Sequence, residues 1–193
     1  RRSANMVEHS RLSPSGAHRW IACAGCIALC DKCPPPKTSP YAIEGTAAHG
    51  LGERCLRQEI DTESFFGTFL TVNEGGSIHT FEVDDEMVNA VQVYVDYVRD
   101  SAPSMDTVML EKKLDVSFVH KDIGGTGDAI IYDEAKKTLE VCDLKYGKGV
   151  VVEPVWNPQL MIYGLGALQA IWYTQTEKTK RSQTVYQLVD KVK

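Results

Sequence analysis

Apolar and polar positions recur along the chain with two different periods, and the changes of period mark out the elements. Ser13-Pro14-Ser15 reads as a helix start. The segment through His18, Trp20 and Ile21 then runs helically toward Leu29 until Pro34-Pro35-Pro36 stops it. Ala42 to Leu56 reads as a second helix. Phe65 to Val83 carries Gly75-Gly76 between two β-rich pieces, the pattern of a hairpin or an irregular excursion. Asp84 suits a helix cap, and Met87, Val88, Val91, Val95 and Val98 follow at helical spacing until Pro103. Three strand-like runs come next: Val108–Val119, Gly127–Tyr132 and Thr138–Leu144, with Asp133–Lys137 as a polar turn between the last two. Asn157–Tyr173 is an apolar helix with Asn157 or Pro158 at its start. Thr184–Val192 alternates enough for a last strand. This order predicts an α/β fold with a mixed central β-sheet flanked by α-helices.

Length and composition narrow the picture. The 193 residues fit one domain with a sizeable core, and 43% hydrophobic with 24% charged residues is ordinary for a globular chain. Arg1–Asn5 precede Met6 and read as an addition outside the domain, which is taken as 6–193, with a helical, cysteine-rich segment at 6–40 and a core at 41–193. No apolar run approaches the roughly 18 residues of a membrane helix. No apolar stretch precedes the first cysteines as an export signal would, so the expected setting is the cytoplasm of a bacterium or a phage-infected host, with no membrane partner. The net charge of −5 argues against a protein that coats nucleic acid along its whole surface. It leaves room for local basic contacts around an acidic site.

The candidate chemistry sits on the middle strands. Asp128 heads the apolar run Ala129-Ile130-Ile131, and Val141-Cys142-Asp143-Leu144-Lys145 ends the next one. Side chains alternate along a strand, so Asp143 and Lys145 project from one face with Leu144 opposite. Pairing through the Asp133–Lys137 turn brings Asp128 toward Asp143. Two carboxylates held close repel unless a cation lies between them, and oxygen ligands suit a hard divalent ion. A lysine beside them orients water and offsets charge developing on a phosphate.

Asp128 followed by Asp143-Leu144-Lys145 resembles the signature of the PD-(D/E)XK nuclease superfamily. Gly45-Thr46-Ala47-Ala48-His49 is similar to the GxxxH motif of its RecB-type branch, which includes the CRISPR adaptation nucleases and stand-alone phage exonucleases. Gln159-Leu160-Met161-Ile162-Tyr163 is similar to that branch's QxxxY motif. The four elements stand in the family's order from Gly45 to Tyr163. The resemblance implies a restriction-endonuclease-like core and a magnesium- or manganese-dependent DNA exonuclease of recombination or phage DNA processing. It implies His49, Asp128, Asp143 and the backbone carbonyl of Leu144 as metal ligands, and Lys145 as the residue that positions the attacking water. Gln159 and Tyr163 would contact DNA or hold the site. Glu111 is a further candidate ligand, with Glu44 and Glu53 as competitors beside the His49 motif. Alternatives are an endonuclease or adaptation-type trimming nuclease, and a catalytically silent DNA-binding module. The partners implied are DNA, a recombinase or single-strand-binding protein, and further copies of the chain.

Other features stay outside that pattern. Cys23, Cys26, Cys30 and Cys33 fall within eleven residues, spaced C-x2-C-x3-C-x2-C. Four thiolates in one segment are candidate ligands for zinc or a [4Fe–4S] cluster. On an unbroken helix they form a stripe about fifteen ångströms long, at ~1.5 Å per residue, which cannot wrap one ion. Metal binding therefore requires a break near Gly25 or Asp31. Without one, the thiols pack a helix face. The family's usual cluster cannot be built, because no cysteine follows Cys142. Cys55, Cys142, Trp156 and Trp172 read as core. Lys148, beside Gly147 and Gly149, is the foremost candidate for a phosphate contact. Ser13, Ser15, His18, Arg19 and Trp20 form a second candidate DNA surface, against the alternative that Trp20 packs this helix on the core.

Overall fold

The computed structural model describes residues 10–34, 38–147, 152–179 and 191–192. The side chains of 175–179 and 191–192 are outside that description, as are Lys148, most of the expected strand Thr184–Val192, and the other masked positions.

Two short helices open the chain, α1 (Ala17–Ala22) and α2 (Cys26–Cys30), where the sequence predicted one. Cys23 leaves the helical region at φ −136° and ψ 106°, so the helix stops and restarts at Gly25. The long helix α3 (Pro40–Gln58) is capped by Ser39, whose hydroxyl accepts from the N–H of Ala42 at 3.2 Å. It begins two residues before the expected Ala42. Strands β1 (Phe69–Glu74) and β2 (Ser77–Glu82) pair as an antiparallel hairpin. Its turn uses Gly75 and Gly76 at φ 58° and 89°, a conformation that favours glycine. Helix α4 (Asp85–Ser101) starts at the predicted cap, with Asp84 Oδ1 accepting from Met87 N–H at 2.9 Å.

The main sheet contains β3 (Val108–Asp115), β4 (Gly124–Asp133), β5 (Thr138–Cys142) and β6 (Lys191–Val192), in that spatial order. The first three are antiparallel, and β6 pairs parallel to β5, with Thr138 opposite Lys191 and Leu139 opposite Val192. The sheet is therefore mixed. Helix α5 (Pro158–Thr179) is capped by Asn157, which accepts from Gln159 N–H at 2.9 Å. No helix among the described residues is long and apolar enough to cross a membrane.

Alternation along the strands divides the core into two layers. Ala129, Ile131, Cys142 and Leu144 pack with α3, α4 and the hairpin. Ile130, Leu139 and Val141 pack on the other face against Tyr163, Ala167 and Ile171 of α5. The molecule is mixed α/β, with helices on both faces of the sheet. Helix α5 lies close: a Cβ built at Gly166 would stand 2.9 Å from Leu114 Cβ and 3.1 Å from Val116 Cγ2.

Two expected strands are shorter than predicted, for local reasons. β3 ends at Asp115 and not at Val119, because the Asp115 carboxylate accepts from Ser117 N–H at 2.8 Å and turns the chain. β5 ends at Cys142 and not at Leu144. There the Leu144 N–H donates at 2.7 Å to the side chain of Asp128, leaving the ladder.

Candidate functional site

The site lies where β5 gives out, and elements from both layers reach it. Asp128 comes from β4, Glu111 from β3, Asp143 and Lys145 from the segment after β5, His49 from α3, and Gln159 and Tyr163 from α5. Asp128 is 9% exposed, and its Oδ2 atom accepts from Leu144 N–H and lies 3.3 Å from His49 Nδ1. One side-chain donor atom from each of His49, Glu111 and Asp128 lies within 4.8 Å of the other two. Among the described residues, this is the group able to hold a metal ion.

Glu111 belongs to it, whereas the sequence favoured Asp143 beside His49 and Asp128. The competitors do not join the group, although the charge of Glu53 acts on Glu111. Glu53 is tied to Arg57 one helical turn on, at 2.8 Å, and Glu44 is not part of the group. Glu111 has an unusual backbone for a strand, with φ at +47°. Its neighbours keep normal antiparallel register, Leu110 opposite Ala129 and Lys112 opposite Gly127. Burial pushes its carboxyl up to about 7, and the charge of Asp128 adds to the shift.

Asp143 stands beside this group in a network of its own. Its Oδ1 accepts from Gln159 Nε2 at 2.8 Å, and its Oδ2 pairs with the Lys145 ammonium. Gln159 also accepts from Lys145 Nζ at 3.4 Å and lies 3.3 Å from the Tyr163 hydroxyl. Burial raises the Asp143 carboxyl above its ordinary value, with Lys145 opposing. Burial works against protonation of His49, but the hydrogen bond and charge of Asp128 outweigh it, and the imidazole ends raised. The Tyr163 phenol is pushed up to about 12, chiefly by burial. The expected alternation holds: Asp143 and Lys145 share a side, while Leu144 is buried opposite them. The main chain of Leu144 reaches Asp128 through its N–H.

Tyr94 of α4, packed in the core against Gly52, is a neighbour that sequence reasoning passed over. Burial raises its phenol, and the charges of Asp128, Glu111 and Asp143 push the same way. It sits among the apolar positions of α4, and nothing in that pattern separates it from them.

The remaining candidates are dispersed. Arg19 and His18 are exposed on α1, while Trp20 is half-buried and donates its indole N–H to Ser13 O at 3.0 Å. The segment before α1 docks along β4, with Leu12 bridging to Ile123, and Pro14 and Tyr163 both pack over Gly125. Lys148 lies outside the described residues. The helix of the cysteine segment is broken at Cys23–Gly25, and two C-x2-C turns are closed by Cys26 N–H to Cys23 O and Cys33 N–H to Cys30 O, both at 3.0 Å. Cys23, Cys30 and Cys33 are exposed, so the reading of a packed helix face does not hold. No three of these sulfurs come within 4.8 Å of one another. Cys55 and Cys142 are buried as expected. Trp172 is partly buried against α5's core, but Trp156, expected in the core, is 82% exposed.

The chain belongs to the family described as "Protein of unknown function (DUF2800)". The family model matches residues 9–181, which takes in every site residue from His49 to Tyr163 and the cysteine segment. No solved structure matches the chain.

Proposed function

We propose that the chain is a divalent-metal-dependent deoxyribonuclease of the PD-(D/E)XK superfamily, built on a restriction-endonuclease-like core and hydrolysing phosphodiester bonds at DNA ends. One observation carries the reading. His49, Glu111 and Asp128, from three elements distant in sequence, converge within 4.8 Å, directly beside the linked set Asp143, Lys145, Gln159 and Tyr163. Acidic groups alone are common on protein surfaces. A lysine and an amide coupled to the adjoining carboxylate, at the end of a sheet, are not.

The donor set fits magnesium or manganese. Two carboxylates and one imidazole are hard or borderline ligands, and a carboxyl held near 7 by burial and a neighbouring charge is one that a cation would return to its ionised form. His49, Glu111 and Asp128 would hold the ion. Asp143 stands close enough for its charge to act on His49. A divalent cation supplies positive charge that acidifies water and offsets the charge developing on phosphate. The chain's own residues do the rest. The Lys145 ammonium, steadied by Asp143 and Gln159, orients the attacking water and meets a phosphoryl oxygen. Water adds at phosphorus, the bridging P–O bond breaks, and its oxygen leaves carrying a proton. Gln159, which donates to Asp143 and to the buried Tyr163 hydroxyl, holds the carboxylate and lysine in place beneath the strand.

The test is cleavage of end-labelled linear DNA and closed circular DNA with magnesium, manganese or EDTA. Lys145→Ala should lose at least about a hundredfold in rate, the usual size for a positioned proton-transfer or charge-stabilising group. Metal-dependent loss of the linear substrate with the circle spared is the expected result. Cutting of the circle makes the chain an endonuclease, and no cleavage by folded protein leaves a DNA-binding module.

A further inference from the structure

The turn ahead of α5 is apolar in a place exposed to water. Val152, Val155 and Trp156 are 46%, 65% and 82% exposed. Trp156 also sits at φ +58°, in the left-handed region that a bulky side chain seldom adopts. The backbone around it accounts for the conformation. Asn157 N–H donates to Pro154 O at 3.3 Å, and Asn157 Oδ1 accepts from the N–H groups of Gln159 and Leu160 at 2.9 and 3.3 Å. The chain must therefore reverse between Pro154 and Pro158. The side chain has no such explanation. Glycine or asparagine would meet the backbone demand more easily, and a polar residue would suit the solvent. The fold instead holds an indole outward on a hydrogen-bonded turn, three residues before Gln159. Three residues span at most about 10 Å from Cα to Cα, so the backbone of Trp156 is close to that of Gln159, whose side chain belongs to the Asp143–Lys145 network.

We propose that Trp156 is a stacking platform for an unpaired nucleobase of the strand being cut. This rests on the deoxyribonuclease reading and adds to it a preference for single-stranded or frayed ends. Every base has a π-face, so such a contact holds a strand without reading its sequence, and a fixed aromatic ring loses little freedom on binding. Val152 and Val155 beside it present further apolar surface to the base or sugar. A blunt duplex, whose bases are already stacked, gains nothing from the platform until its end opens.

The experiment uses the full chain in a Lys145→Ala background, so that the strand survives. The probes are a short oligothymidylate, the same strand with abasic sites, and a blunt duplex, each followed by anisotropy and tryptophan fluorescence. Trp156→Ala should weaken oligothymidylate binding about tenfold or more, and Trp156→Phe should retain most of it. The abasic strand should bind the parent weakly and show little further loss in Trp156→Ala. Fluorescence quenching by the strand should vanish in Trp156→Phe, although Trp20 and Trp172 remain. Equal binding by the parent and Trp156→Ala overturns the proposal while leaving the nuclease reading intact. A parent that binds no DNA and a wild-type chain that cuts none overturn both. Loss of a dimer in Trp156→Ala, seen by light scattering without change in strand affinity, assigns the indole to a contact between copies and also overturns it. Because the side chain is exposed, the variants should melt close to the parent, which separates lost stacking from lost folding.

Discussion

Replacing Glu111 with glutamine should make the metal-free protein more stable and remove its response to metal. The carboxyl is raised from 4.5 to about 7, first by burial and then by the charge of Asp128. A folded-state pKa above the unfolded one means that the folded chain holds the proton more tightly. Stability is then lost as pH rises from about 4.5 to about 7, and above that range the full penalty remains. A shift of that size corresponds to roughly 3 kcal/mol. Glu111 is only partly buried, and solvent screening reduces the expected penalty to about 1–2 kcal/mol. For a chain of this length that is a rise in Tm of about 3–6 °C for Glu111→Gln at pH 8 in EDTA. By pH 5 about a quarter of the gain should remain. Glutamine keeps the shape and the backbone strain at φ +47°, so the comparison isolates the charge. Differential scanning calorimetry at both pH values, with and without manganese, reads all of this. Manganese should stabilise the wild type by mass action and leave Glu111→Gln nearly unmoved. If Glu111→Gln melts below the wild type in EDTA at pH 8, the carboxylate is not under repulsion and the proposed cation site is wrong.

Two further outcomes test the surrounding structure. Gly166→Ala should destabilise by about 1–2 kcal/mol despite alanine's better helix propensity, because its Cβ would press on Leu114 and Val116 where α5 meets β3. Urea unfolding measures it, and an increase in stability would show a looser contact than described. A thiol reagent should label Cys23, Cys26, Cys30 and Cys33 in the native protein, with Cys26 the slowest of the four. Cys55 and Cys142 should react only after unfolding, since burial pushes their thiols up to about 11 and about 12. Rapid native labelling of all six would contradict the packing of α3 and β5.

What could be read from the sequence was mostly local. Asp84 and Asn157 announce helix starts because the cap is made by the residue's own side chain. Ile130 and Ile131 go to opposite layers because strand alternation is a geometric constant. The breaks were harder to see. Cys23 leaves the helix one residue after a good helical run, and β5 stops early because a side chain 16 residues away takes the Leu144 N–H. Trp156 was assigned to the core by residue type alone, and its exposure depends on a reversal set by Asn157 and two prolines. Within the site, Asp128, Asp143, Lys145, Gln159 and Tyr163 do meet. Glu111 could be named only as one of several acids, because what sets it apart is a backbone angle and the reach of His49 across the sheet end.

The distribution of backbone strain bears on how the site works. Among the described residues, four non-glycine positions have positive φ: Glu59, Glu111, Lys137 and Trp156. Glu59 ends α3, and Lys137 lies in the tight turn between β4 and β5, both ordinary places for a left-handed residue. Of the other two, Glu111 belongs to the site, and Trp156 stands in the turn ahead of α5, the helix that carries Gln159. In the middle of β3, an extended Glu111 would complete the ladder opposite Asp128, and no local turn chemistry asks it to do otherwise. Its conformation is instead tied to where its carboxylate goes, toward His49 and Asp128. Such strain costs of order 1–3 kcal/mol and persists only where surrounding packing over-determines it. Here Ala129 and Ile131 on one face, and Ile130 on the other, bury the neighbouring strand β4 in both core layers. A sheet that gives up regular geometry at one residue, to bring two like charges together, loses stability on both counts in the metal-free protein. A cation between His49, Glu111 and Asp128 would reverse the second of those losses, and on this reasoning the stability that Glu111→Gln gains in the metal-free protein should be matched by a loss of the stabilisation that the ion gives the wild type.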